Sequence, residues 1–101
     1  MKKILLGTAF LACSLFSEEH VIDQSGKEFK PGKITVKVGD TLKFKNSDPF
    51  AHNAYTDDEA NEFDNGMQKP GSNSVVKVKG PGTFAVECAI HPNMRLEVEA
   101  K

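Results

Sequence analysis

From Lys33 to Lys45 hydrophobic and polar residues alternate. Ile34, Val36 and Val38 stand between Lys33, Thr35 and Lys37, and Leu42 and Phe44 between Thr41, Lys43 and Lys45. Successive side chains of a strand point to opposite faces, so this period of two predicts two strands, each with one dry and one wet face. Gly39-Asp40 between them predicts a two-residue hairpin turn, with the glycine supplying positive φ. Val76 and Val78 alternate with Val75, Lys77 and Lys79, and Gly80-Pro81-Gly82 turns the chain. Phe84, Val86 and Cys88 then share one face of the next strand, which aims the cysteine sulfur inward. Leu96, Val98 and Ala100 close the sheet. Short strands with turn signals about every ten residues predict an all-β sandwich. Only Thr56 to Asp64 departs, where Asp57-Asp58-Glu59-Ala60-Asn61-Glu62-Phe63 fits a short capped helix or an acidic loop.

The N-terminus follows a different pattern. Lys2 and Lys3 precede a nine-residue apolar run, Ile4 to Ala12, too short to span a bilayer. Residues 1–17 therefore read as a signal peptide cut after Ser17, a cut after Ser14 being the alternative. Acylation at Cys13 is the weaker reading, because Phe10-Leu11-Ala12-Cys13 lacks a leucine three residues before the cysteine. The expected mature chain, residues 18–101, is one exported, periplasmic domain with no integral membrane segment. Loss of Lys2 and Lys3 takes the formal charge from −1 to −3, which gives no basic excess for nucleic acid. Cys88 is then the sole thiol in an oxidising compartment, and an unpaired thiol there points to a reactive or metal-bound role.

The chemistry concentrates in Cys88-Ala89-Ile90-His91-Pro92-Asn93-Met94, with His52 upstream. Thiolate, imidazole and thioether recur every third residue, a spacing that a straight strand cannot bring to one face. A tight loop at a strand end can turn all three onto one ion. Two histidines, one cysteine and a weak axial methionine are the donor set of a blue-copper electron-transfer site.

On these residues the chain resembles the cupredoxins, the small type I copper proteins, nearest the plastocyanin, pseudoazurin and amicyanin group. The resemblance includes Phe29-Lys30-Pro31, Ile34 to Phe44, Asn46, Pro49 to Ala54, Pro70-Gly71 and Pro81 to Phe84, and it closes on the ligand loop. It implies a Greek-key topology and one copper ion. The implied ligands are His52 and His91 through Nδ1 and Cys88 through sulfur in a plane, with Met94 axial. Asn53 resembles the family asparagine that ties the two ligand-bearing segments together. One departure is that Arg95-Leu96-Glu97 follows Met94 directly, where relatives commonly place glycine, so a tighter exit into the last strand is expected.

No catalytic constellation competes: Ser and Thr stand without a His–acid pair, and four filled ligand positions leave no open place for substrate. A monomeric electron carrier is expected, with a c-type cytochrome or an oxidoreductase as redox partner; copper delivery is the alternative. Phe50, Met67, Ile90 and Pro92 around His91 form the expected apolar docking face, and Asp57, Asp58, Glu59, Glu62 and Asp64 a second, acidic patch. If cleavage follows Ser17, His20 becomes the third residue, and its imidazole, the α-amine and two backbone amides could hold Cu(II) or Ni(II) in a square plane.

Overall fold

The computed structural model describes residues 16–101. Most of the proposed leader, including Cys13, lies outside the described residues. Nine strands follow: β1 (Glu19–Ser25), β2 (Glu28–Lys30), β3 (Lys33–Val36), β4 (Thr41–Asn46), β5 (Ala54–Thr56), β6 (Phe63–Asp64), β7 (Asn73–Lys77), β8 (Gly82–Cys88) and β9 (Arg95–Ala100). They form two sheets, ordered β2-β1-β4-β7 and β3-β9-β8-β5-β6, in the Greek-key sandwich expected. No described helix is long and apolar enough to cross a membrane.

The alternating positions meet between the sheets. Ile22, Leu42 and Phe44 from one sheet face Val86, Leu96 and Val98 from the other, all fully buried. The Phe44 ring packs edge-on against Phe29 at 6.1 Å between centroids and tilted against Phe63 at 5.9 Å. Each such side chain contributes roughly 1.5–3 kcal/mol through the apolar area withdrawn from water. Phe84, Val86 and Cys88 face inward together, as the alternation requires.

The hairpin expected at Gly39-Asp40 is not formed. β3 pairs in parallel with β9, whereas β4 pairs with β1 in parallel and with β7 antiparallel. Gly39, at φ +100°, therefore carries the chain from one sheet to the other. Two contacts fix this crossing: Gly39 N donates to Val78 O at 2.8 Å, and the buried Asp40 carboxylate accepts from Lys37 N at 3.0 Å. β3 stops at Val36, and Val38, expected on the dry face, is 43% exposed.

Between β5 and β6 the acidic segment is a loop with a turn, not a helix. Asn61 pins it to the turn before β8. Its Oδ1 accepts from Lys79 N at 2.7 Å and Gly80 N at 3.1 Å, and its Nδ2 donates to Gly80 O at 3.0 Å. Gly80 is required there because a Cβ would stand 2.7 Å from that of Ala60.

Candidate metal centre

The centre lies where β8 ends and where the segment after β4 approaches it. Cys88 is the last residue of β8, and Asn53 N donates to its sulfur at 3.3 Å, which fixes the sulfur's position. The loop then turns tightly, closed by Met94 N donating to His91 O at 2.9 Å. Arg95 enters β9 at once, opposite Glu87, and its Nη1 meets Glu87 Oε2 at 3.0 Å; this is the direct exit that the missing glycine predicted. Met94 is buried at the foot of the loop.

His52, fully buried, is held in place by a polar frame. Its backbone bridges Gln68 in both directions: His52 N donates to Gln68 O at 3.1 Å, and Gln68 N donates to His52 O at 2.7 Å. Gln68 is itself anchored, its Nε2 donating to Phe44 O at 2.7 Å and its Oε1 accepting from Gln24 at 2.9 Å. Asn46, at the end of β4, donates to Phe50 O and Gln68 O and accepts from Asp48 N. Gln24, Asn46, Asp48 and Gln68 are all buried. Desolvated polar groups of this kind are tolerated where they are paired, as these are except for Gln24 Oε1, which is buried without a partner.

Asp48 is the residue that sequence reasoning missed. Its Oδ2 lies 2.7 Å from His52 Nε2. Burial pushes the carboxyl up, but bonds from Lys27 N, His52 and Gly26 N outweigh it and hold Asp48 below the usual carboxylate range. An ionised acceptor at Nε2 assigns the proton to that nitrogen and leaves the Nδ1 lone pair bare, the carboxylate–histidine arrangement that orients metal-binding imidazoles. The spacing of four between Asp48 and His52 was the available signal.

Three donor atoms converge. His52 Nδ1 is 3.8 Å from Cys88 Sγ, Cys88 Sγ is 3.7 Å from His91 Nδ1, and the two Nδ1 atoms are 3.2 Å apart. A point equidistant from all three lies about 2.1 Å from each, within the roughly 2.0–2.3 Å over which imidazole nitrogen and thiolate sulfur hold a borderline divalent ion. The residues present therefore fit a copper ion. Partial burial, then the neighbouring His52 and Lys27, pull His91 below the ordinary histidine range, which keeps its ring neutral and its lone pair available.

The Phe50 ring covers both imidazoles, at 5.4 Å from His52 and 5.5 Å from His91 between centroids. Lys27 Nζ lies 5.5 Å from the same ring. Of the residues expected around half-buried His91, Phe50 packs against its ring, the chain neighbours Ile90 and Pro92 are exposed, and Met67 is exposed as well. In the acidic patch, Asp58 and Asp64 are engaged locally, by Asn61 and by Asn53 with Gly66 N. Asn53 joins the two ligand-bearing segments through its main chain. Its backbone makes the tie to the ligand loop, through Cys88 Sγ and Ala89 N, while its side chain reaches Asp64 and Gly66 O.

His20 is not placed for a terminal four-nitrogen site. It lies in β1, where residues 19 and 20 pair with β4, and its Nε2 is 2.9 Å from Asp40 Oδ2.

A family model described as copper binding proteins, plastocyanin/azurin family, matches residues 17–101. The chloroplastic plastocyanin of Oryza sativa subsp. indica is 30% identical over 95 residues, covering 83% of this chain, which spans 62% of that protein's length. Among solved structures, a Cu(I) form of an amicyanin variant superposes with a TM-score of 0.76 at 24% identity, covering 89% of each chain. The copper-containing nitrite reductase of Thermus scotoductus SA-01 gives a TM-score of 0.76 at 23% identity, over 82% of this chain but 22% of that one, a likeness of fold.

Proposed function

We propose that this chain, which belongs to the plastocyanin/azurin family of copper-binding proteins, is an exported, periplasmic one-electron carrier with copper held by His52, Cys88, His91 and Met94. The observation that carries this reading is the convergence of His52 Nδ1, Cys88 Sγ and His91 Nδ1 to within 3.2–3.8 Å of one another, with Asp48 fixing the tautomer of His52. Copper there supplies a Cu(I)/Cu(II) couple. The protein's part is to hold its donors still. Asp48 and the Gln68 bridge fix His52, Asn53 N fixes the thiolate, and the bond from Met94 N to His91 O keeps the loop short. Donors fixed in advance move little between redox states, so the rearrangement accompanying electron transfer is small.

Phe50 shields the imidazoles from water, and His91 is the ligand nearest the surface, so its ring edge is the short way out for the electron. The apolar face around it would meet a c-type cytochrome or an oxidoreductase, and the acidic loop would steer a basic partner, with association slowed by salt. A buried Cys88 and Met94 suit retention of the ion better than delivery. With four protein ligands no position is left for a substrate, and we read the chain as a carrier and not an enzyme. Voltammetry of the copper-loaded protein tests this. A reversible one-electron couple, with rapid electron exchange with a c-type cytochrome, is expected; loss of copper to a chelator on reduction would overturn it in favour of delivery.

A further inference from the structure

We propose that Glu18, His20 and Asp40 form a second cation site, remote in sequence from the copper ligands, for a borderline divalent ion such as Zn(II). One donor atom from each of the three lies within 4.8 Å of the other two. The set is one imidazole nitrogen and two carboxylate oxygens, which Zn(II) accepts with water in the fourth position. His20 Nε2 and Asp40 Oδ2 are 2.9 Å apart, a span open to two atoms each about 2.0–2.2 Å from a common ion.

The cluster combines a fixed floor with an exposed lip. Asp40 is buried and is fixed by Glu18 N at 2.9 Å and Lys37 N at 3.0 Å. His20 is fixed by the pairing of β1 with β4, with its side chain 14% exposed. Glu18, with its side chain 75% exposed, brings its Oε2 to 4.0 Å from His20 Nδ1 and leaves an entry path from solvent. Among the described residues, neither carboxylate makes an ion pair with a lysine or arginine; the one titratable partner of each is His20. Binding at Nε2 exchanges the proton shared with Asp40 for the ion; the neutral ring then carries its proton on Nδ1, facing water, and the Glu18 carboxylate turns from that edge to the ion. A bound ion would clamp the start of β1 to the crossing before β4.

The test is a calorimetric titration with Zn(II) alone of protein already loaded with copper, the blue absorption being followed throughout. One saturable equivalent is expected, weakened at least tenfold by His20→Gln, with the blue absorption unchanged and the melting temperature raised by Zn(II) only where His20 is present. Glu18→Gln, on an exposed side chain that the fold does not use, should also weaken binding. No saturable Zn(II) binding, or an affinity equal in wild type and His20→Gln, would overturn the site. The contrast between these two proteins does not depend on what occupies the copper centre, so this inference and the copper reading fail separately.

Discussion

Asp40 and Asp48 bracket β4, one immediately before its first residue and the other two residues after its last. Each is buried, each accepts two backbone N–H bonds, and each meets a histidine Nε2, at 2.9 Å for His20 and 2.7 Å for His52. The parallel pairing of β1 with β4 explains the likeness: it brings Glu18 and His20 to one end and Gly26 and Lys27 to the other. The difference lies in what the second ring nitrogen faces. His52 Nδ1 looks into a dry pocket beside a thiolate sulfur and a second imidazole, under the Phe50 ring. His20 Nδ1 looks toward an exposed glutamate. The same pair thus orients a soft nitrogen–sulfur donor set at one end and a harder oxygen-rich one at the other, and softness of donors is what selects copper.

The comparison breaks most visibly at Asp48. Asp48→Asn removes the charge that fixes the His52 tautomer, so copper affinity should fall about 10–100-fold, as for other partners of metal-binding histidines. The measurement is competition with a chelator, and Asp40→Asn should leave that affinity unchanged. Equal losses in both variants would show that the two ends are not distinct.

Acid stability probes the Asp40 end by itself. Burial raises Asp40, but hydrogen bonds from His20, Lys37 and Glu18 win and lower its pKa from 3.8 to about 2. A lowered carboxylate contributes stability above its unfolded pKa and loses it as pH falls through the folded one, here between about 4 and 2. Denaturant melts of the metal-free protein should show Asp40→Asn less stable by about 2 kcal/mol at neutral pH, the gap closing toward pH 2.

A smaller effect is expected at His91. Because its pKa is lowered, a proton competes for the ring only below the ordinary histidine range. Protonation stabilises the reduced state, so the reduction potential should be flat near neutrality. It should then rise as pH falls, approaching about 59 mV per pH unit, the limit for one proton per electron. A potential flat throughout the acid range would show that His91 keeps its lone pair engaged.

Local features were legible in the sequence and long-range ones were not. Three donors at three-residue intervals lie within one loop, so spacing alone placed Cys88, His91 and Met94 together, and period-two alternation placed β4, β8 and β9. Alternation names a strand's faces but not its partner, so the crossing at Gly39-Asp40 read as a hairpin. β1 went unread because its inward face carries Gln24 beside Ile22, a buried polar residue that blurs the pattern. The frame of Asn46, Asp48 and Gln68 was invisible for the same reason: polar residues in loops read as solvated until the fold shows what they brace. The acidic run from Asp57 to Glu62 fitted helix or loop equally, and the bonds of Asn61 to Lys79 and Gly80, far along the chain, are what select the loop.

The proposed centre holds copper through a thiolate at the meeting point of His52, Cys88 and His91. Its most direct test is the visible spectrum of the metal-free protein on addition of Cu(II), compared with that of Cys88→Ser. Wild type should develop an intense thiolate-to-copper charge-transfer band saturating at one equivalent, and Cys88→Ser should give none. A wild-type protein that stays colourless, or a band that survives in Cys88→Ser, would contradict the account.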